Sequence, residues 1–151
     1  MTPPVPDLSD LEHLVGRALP GGEVVIEPWR AWLTHDAVLV PPSDDLAHPV
    51  FGYLVATGAM GISWDGLFEW LGTSADDGPM FGDCELVYHR PLCVGRRYRV
   101  EGDITSVQRK EGRRAGVFDL VGYELRVDEV DELNGGRAAT CRNSLVIPRR
   151  S

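Results

Sequence analysis

Hydrophobic and polar residues alternate through most of the second half of the chain. The pattern covers "CELVYH" at 84–89 and "RRYRVEGDITSVQ" at 96–108, while "GVFDLVGYELRV" at 116–127 is a long apolar-rich run and "AATCRNSLVIP" at 138–148 closes the chain. A period of two is typical of strands that bury one face. The connections "RKEGRRAG" and "DEVDELNGGR" carry the glycine and Asn-Gly signals of hairpin turns. The pattern therefore predicts antiparallel strands at about 84–89, 97–108, 116–127 and 137–147.

The first half of the chain has a different pattern. Residues 1–6 are proline-rich and are predicted to form a flexible tail, followed by one domain over 7–151. "DLSDLEHLVGRALPGG" predicts a short helix that ends at Pro20. Residues 24–26 favour a first strand. Residues 29–33 are compatible with a continuing strand or with a helix after Pro28.

Residues 51–71, "FGYLVATGAMGISWDGLFEWL", are apolar on nearly all sides of a helical wheel. This pattern predicts one long buried helix of about 31 Å. Its glycines reduce helix propensity, and close approach of a surrounding sheet would compensate for that cost. A long central helix wrapped by a curved antiparallel sheet is an α+β architecture, the hotdog fold.

Composition and charge exclude several classes of function. The chain has 151 residues and a formal net charge of -8, so we expect no nucleic-acid partner. It lacks the run of about 18 apolar residues that a membrane helix needs, and its first residues do not resemble a signal peptide. Three separated cysteines without a CxxC pair predict reduced thiols and a cytoplasmic location. The spacing of the four histidines predicts no metal site, and no cofactor motif is present.

Two segments resemble the MaoC-like hydratases and dehydratases, especially their FAS1-like dehydratase relatives. They are "FGYLVATGAMG" at 51–61 and "LVYHRPLCVGRRYRVEGDITSVQRKEGRRAGVFDLVGYELRV" at 86–127. The likeness covers about two thirds of the chain, from Phe51 onward. It implies a cofactor-free reaction on a 2-enoyl thioester of coenzyme A or acyl carrier protein. In that group an aspartate and a histidine in a D-x-N-P-x-H pattern hold the water, and backbone amides at the helix start polarise the carbonyl.

The chain departs from this pattern at the catalytic positions. His35 lies where the group has its histidine, but Arg30 replaces the aspartate and no Asn-Pro lies between them. The loop closer to the predicted helix contains the required residue types in another order. We therefore predict His48, Asp44 and Asp45 as catalytic residues, with His35 and Asp36 in reserve. The amides of Thr57, Gly58 and Ala59 are predicted to bind the substrate.

Two other functions remain open at this stage. Some hotdog thioesterases carry a carboxylate on the central helix, and Asp65 or Glu69 would supply it here. Alternatively, the chain is a non-catalytic acyl-binding or scaffold subunit, because the aligned aspartate is missing. In each case we expect a homodimer or a larger hotdog assembly, since the open edge of a sheet favours pairing. The acyl chain length, the choice between coenzyme A and carrier protein, and the pathway are left open.

Overall fold

The computed structural model describes residues 4–131 and 133–149. All four helices and the first strand precede a short 3-10 turn at Ala75–Asp77, and the other four strands follow it. The helices are α1 (Leu8–Glu12), α2 (Pro28–Ala37), α3 (Phe51–Gly58) and α4 (Trp64–Trp70). The strands are β1 (Gly22–Val25), β2 (Met80–Tyr88), β3 (Arg97–Gly112), β4 (Gly116–Glu129) and β5 (Gly136–Pro148). None of the helices within the described ranges is both long and apolar enough to span a bilayer.

The five strands form one antiparallel sheet in the order β1-β3-β4-β5-β2. The sheet confirms the strands predicted in the second half of the chain, although β2, β3, β4 and β5 each extend beyond the predicted ends. Buried and partly buried positions alternate along β4, as the period of two requires. The buried face carries Tyr98, Ile104, Tyr123, Leu125 and Val127. Helix α3 packs against β2, β3, β4 and β5.

The prediction of one helix over 51–71 is wrong, because the helix breaks between α3 and α4. Gly61 has a φ of 78°, and a Cβ there would lie 2.6 Å from the backbone nitrogen of Gly21. The Gly21 N–H donates to the Met60 carbonyl at 3.0 Å, so the break is a point of close backbone contact. Ser63 then caps α4 by accepting from the Gly66 N–H at 3.0 Å. The glycines therefore allow a turn as well as close packing.

The N-terminal part of the chain forms a short strand and a helix before α3. Strand β1 confirms the predicted first strand, and Pro28 begins α2 at a position where its missing N–H costs no hydrogen bond. The open alternative at residues 29–33 is thus settled as a helix. Residues 1–3 of the predicted flexible tail lie outside the described residues. Pro6 is the last residue of the predicted tail, and its carbonyl accepts a hydrogen bond from the Arg109 guanidinium at 3.0 Å.

Candidate functional site

A cavity of about 620 Å³ lies beside the start of α3. Its wall is formed by α2, by the loop between α2 and α3, and by the chain that leaves β2. Most of the lining is apolar, with Val40, Leu46, Pro91 and Leu92 among its residues. The polar groups include His35, His48, His89 and Tyr88. An apolar cavity with a few convergent polar groups is typical of a site for a small organic ligand.

Backbone pairing holds the loop between α2 and α3 in place. The Ala47 N–H donates to the Leu92 carbonyl at 2.9 Å, and the Val94 N–H donates to the Asp45 carbonyl at 2.9 Å. The Ser43 hydroxyl accepts from the Leu46 N–H at 3.0 Å, which fixes the preceding turn. The loop therefore forms a stable wall of the cavity.

Two of the predicted residues, His35 and His48, come together at the cavity. Their ring centroids are 6.0 Å apart and the rings meet edge to face at 77°. His35 lies on the inner side of α2 with only 3% of its surface exposed, whereas His48 is half-buried just before α3. The Nδ1 atom of His35 accepts from the Ser43 N–H at 3.3 Å, and that of His48 accepts from the Val50 N–H at 3.1 Å. Both rings are thus oriented by the backbone.

Tyr88 links β2 to the first turn of α3. Its hydroxyl donates to the Pro49 carbonyl and lies directly over Gly52. A side chain at Gly52 would clash with this hydroxyl, so the glycine permits the contact. Partial burial raises the pKa of Tyr88, which keeps the phenol protonated and able to donate.

The predicted carboxylates do not join the histidines. Asp44, Asp45 and Asp36 are exposed and are not among the residues that line the cavity. Asp45 is held through its backbone by Val94, which leaves its side chain on the outer side of the loop. No aspartate or glutamate of the described residues lines this cavity. The predicted combination of a carboxylate with His48 is therefore absent from this arrangement.

Thr57, Gly58 and Ala59 lie at the C-terminal end of α3, away from the cavity. The Ala59 N–H donates to the Val55 carbonyl at 3.1 Å, and the Thr57 hydroxyl donates to the Tyr53 carbonyl at 2.8 Å. The break in the predicted long helix makes this the end of a short helix, where amides are bonded to the preceding turn. The cavity therefore does not include the three residues predicted to bind the substrate.

Asp65 and Glu69, the carboxylates of the thioesterase alternative, lie on α4. Both are exposed, and neither lines the cavity. The helix break separates them from the His35–His48 pair, because α4 begins only after the turn at Gly61. Their position gives the thioesterase alternative no support at this site.

Sequence reasoning undervalued three residues that follow one another at the end of β2. Tyr88, His89 and Arg90 all line the cavity. The Arg90 guanidinium donates to the Asn134 carbonyl at 2.5 Å and lies 3.7 Å from Glu129. The sequence shows these residues in the segment "YHRPL" at 88–92, but the strand pattern does not indicate that this segment faces the loop before α3.

The basic cluster "GRRYR" at 95–99 is neutralised by nearby acids. Arg96 contacts Glu129 at 2.7 Å, and Arg99 contacts Glu23 at 2.8 Å. These pairs leave little positive potential at this surface. Within the described residues, no group of three or more histidine, cysteine, aspartate or glutamate side chains is arranged to hold a metal ion.

Comparison with solved structures identifies the fold. One chain of the HadBC (3R-hydroxyacyl-ACP dehydratase) complex from Mycobacterium tuberculosis matches with a TM-score of 0.62 and 17% identity, over 85% of this chain and 96% of that one. The unliganded R-hydratase PhaJ1 from Pseudomonas aeruginosa matches with a TM-score of 0.59 and 14% identity, over 90% and 83%. A MaoC-like dehydratase matches with a TM-score of 0.66 and 17% identity, over 91% and 43%.

These similarities establish that the chain has the predicted α+β hotdog fold, and the structures it resembles include MaoC-like dehydratases. No protein-family model matches the sequence, and no curated protein is similar enough to it to count as a relative. Sequence identities this low establish the fold alone, because one fold supports many functions. The function must therefore be argued from the cavity.

Proposed function

We propose that the chain binds acyl thioesters of coenzyme A or acyl carrier protein and interconverts enoyl and hydroxyacyl groups. One observation carries this proposal: in a hotdog fold, an apolar cavity of about 620 Å³ presents two oriented imidazoles at the start of α3. An apolar wall suits an acyl chain, and the histidines supply the polar groups that hydration requires. The dehydratase and hydratase named among the similar structures support the same class of reaction.

The proposal assigns the central role to His48, with His35 beside it. It leaves out Asp44 and Asp45, since neither carboxylate lines the cavity. We assign the general-base role to His89, whose exposed imidazole lines the same cavity. An imidazole nitrogen that carries no proton can accept one from water. The oriented pair would then hold the thioester while His89 activates the attacking water.

The test is hydration of crotonyl-coenzyme A, followed by loss of the enoyl absorbance, with free thiol measured in the same sample. We expect hydration without thiol release from the wild type and a loss of about 100-fold or more in His48→Ala. His13→Ala is the matched control, because His13 is exposed directly after α1 and lies outside the cavity. Full activity of His48→Ala would disprove the role of His48, and thiol release would favour a thioesterase.

A second candidate function is acyl-thioester binding without turnover. It is favoured by the lack of an aspartate or glutamate among the described residues that line the cavity. Binding of crotonyl-coenzyme A by calorimetry, with neither hydration nor thiol release, would support this function. Retained activity in His89→Gln would argue against the general-base assignment while leaving hydration itself in place.

We also propose that the functional unit is a homodimer or a larger hotdog assembly. Strand β2 lies at the edge of the sheet and exposes Met80 and Phe81. An edge strand with exposed apolar residues is a surface on which a second sheet can pair. One of the similar structures is itself a complex of hotdog subunits, which supports multimeric assembly. A cytoplasmic location remains a prediction from the sequence.

A further inference from the structure

We propose that His35 and His48 form a two-donor site that binds the carbonyl oxygen of the thioester through their Nε2–H groups. The proposal rests on the proposed function and adds the direction of the hydrogen bonds. It makes the pair an electrophilic site that polarises the carbonyl. Neither imidazole of the pair then serves as a general base.

The tautomer of each ring follows from its backbone contact. A backbone N–H can only donate, so the nitrogen that receives it must be unprotonated. The Ser43 N–H meets Nδ1 of His35, and the Val50 N–H meets Nδ1 of His48. In the neutral imidazole the single proton is therefore on Nε2 in both rings. To act as a base through Nε2, either ring would have to change tautomer and lose its backbone hydrogen bond.

The two Nε2–H groups are available to a ligand. In the described part of the chain, neither Nε2 atom has a protein hydrogen-bond partner. His35 as a whole is 97% buried. Among the described residues, the Tyr123 hydroxyl is the one fully buried side-chain N or O atom without a hydrogen-bond partner. The unpartnered Nε2 atom of His35 therefore keeps some exposed surface. His35 and His48 both line the cavity that a ligand would fill.

The spacing of the rings suits one shared oxygen atom. Two N–H···O bonds of about 2.9 Å that meet at roughly 120° on a carbonyl oxygen place their nitrogens about 5 Å apart. The ring centroids of His35 and His48 are 6.0 Å apart, which allows their Nε2 atoms to reach such a separation. Two donors that converge on one carbonyl oxygen stabilise the negative charge that develops there when water adds to the conjugated double bond. The low polarity of the surrounding wall strengthens both hydrogen bonds.

The surroundings favour an oxygen acceptor over a cation. Arg90 is the permanently charged residue among those that line the cavity, and no carboxylate of the described residues does so. An ammonium group or a metal cation would therefore lack a counter-charge, whereas a thioester carbonyl or an enolate oxygen matches the donors. This arrangement assigns the substrate class as thioesters whose carbonyl oxygen is bound directly by imidazole.

The experiment uses butyryl-pantetheine labelled with ¹³C at the thioester carbonyl. Pantetheine is common to coenzyme A and carrier protein, and the saturated chain cannot be hydrated. Binding is measured by calorimetry, and the carbonyl stretch of the bound ligand is measured by isotope-edited infrared spectroscopy. We expect the wild type to lower the stretching frequency relative to the ligand in water.

Matched variants separate donation from proton transfer. His48→Phe and His35→Phe keep a flat ring but remove the donor, and each should weaken binding by about 3- to 10-fold and reverse part of the frequency shift. His48→Gln and His35→Gln keep an N–H donor and should retain most of the shift. The glutamine variants provide a second test at each position if a phenylalanine variant fails to fold. Thermal unfolding checks that every variant is folded.

The outcomes distinguish this inference from the proposed function. If butyryl-pantetheine binds and the phenylalanine variants leave the carbonyl frequency unchanged, the two-donor site is wrong while acyl-thioester binding stands. If the glutamine variants bind normally but lose the shift, the inference also fails. If the wild type does not bind the ligand at millimolar concentration, the proposed function itself is wrong.

Discussion

Tyr98 and Tyr123 are both buried on the face of the sheet that packs against α3, but their hydroxyl groups differ in environment. The Tyr98 hydroxyl accepts from the Cys93 N–H at 2.7 Å. The Tyr123 hydroxyl has no partner among the described residues. Burial raises the pKa of Tyr98 to about 12 and also raises that of Tyr123, so both phenols are neutral. They form a matched pair for measuring the cost of a buried polar group.

We expect Tyr123→Phe to leave the free energy of unfolding unchanged or to raise it by about 1 kcal/mol, because the variant removes an unpaired buried hydroxyl. Tyr98→Phe should lower it by about 1–3 kcal/mol, because the Cys93 N–H would lose its partner. Urea unfolding of both variants measures the difference. Equal destabilisation of the two variants would show that Tyr123 does make a stabilising hydrogen bond.

Cys84 and Cys141 provide a second contrast between neighbouring residues. Their Sγ atoms are 3.8 Å apart, yet Cys84 is exposed whereas Cys141 is fully buried. Burial raises the pKa of Cys141 to about 12, so its thiol is protonated and unreactive at neutral pH. We expect iodoacetamide to modify Cys84 and to spare Cys141 in the native protein, as measured by peptide mass spectrometry. Prompt labelling of Cys141 would contradict this environment.

The break between α3 and α4 can be tested with two glycines. Gly61 has a φ of 78° and contacts Gly21, whereas a Cβ at Gly58 would meet no atom within 4 Å. We expect Gly61→Ala to lower the free energy of unfolding by about 2 kcal/mol or more, from left-handed strain and steric overlap. Gly58→Ala should raise it by up to about 1 kcal/mol, because alanine is a better helix former. A neutral Gly61→Ala variant would mean that the helix can continue.

Asp119 connects β4 to the end of α4 and is completely buried. Its carboxylate contacts Arg149 at 2.7 Å and Arg109 at 2.8 Å, and Arg149 also donates to the Leu71 carbonyl at 2.7 Å. Burial alone would raise the pKa of Asp119, but the two guanidinium groups hold it below its usual range. The Arg149 guanidinium, which Asp119 holds in place, therefore supplies the donor that a cap would provide at the C-terminal end of α4.

We expect Asp119→Asn to lower the free energy of unfolding by about 3 kcal/mol at pH 7, since it leaves Arg149 buried without its counter-charge. The exposed Glu85–Arg142 pair is the control, and Glu85→Gln should change stability by less than about 1 kcal/mol. Because the folded pKa of Asp119 lies below the unfolded one, its contribution is present above the unfolded pKa. It is lost as the pH falls through the folded pKa. The difference between wild type and Asp119→Asn should therefore shrink in acid.

At the scale of the whole molecule, the two edges of the sheet differ. Strand β2 is long and exposes Met80 and Phe81, whereas β1 is a short strand of four residues. We expect Met80→Glu to convert an assembled protein to monomers, because a charge on an edge strand opposes pairing. Val25→Glu, on the opposite edge, should leave the assembly intact. Light scattering at micromolar concentration measures both, and a monomeric wild type would refute pairing through β2.

Much of the sheet could be predicted from the sequence because the period of two is local. Each strand from β2 to β5 carries its own alternation and its own turn signals, so the antiparallel arrangement follows from short segments. The resemblance to the MaoC-like group made His35 a candidate residue, and residue type beside the predicted helix made His48 one. Local reasoning also identified the apolar run that holds α3 and α4. These predictions depend on residues that are close together in the chain.

The tertiary structure decided the features that depend on distant residues. Gly61 breaks the helix where it meets Gly21, and local helix propensity contains no information about that contact. Pairing of the loop with residues 92–94 turns Asp44 and Asp45 away from the cavity, whereas their sequence position beside His48 suggested the opposite. Close packing of α2 against this loop brings His35 to His48. Residue type and period are therefore set locally, while the direction in which a side chain points depends on packing between elements.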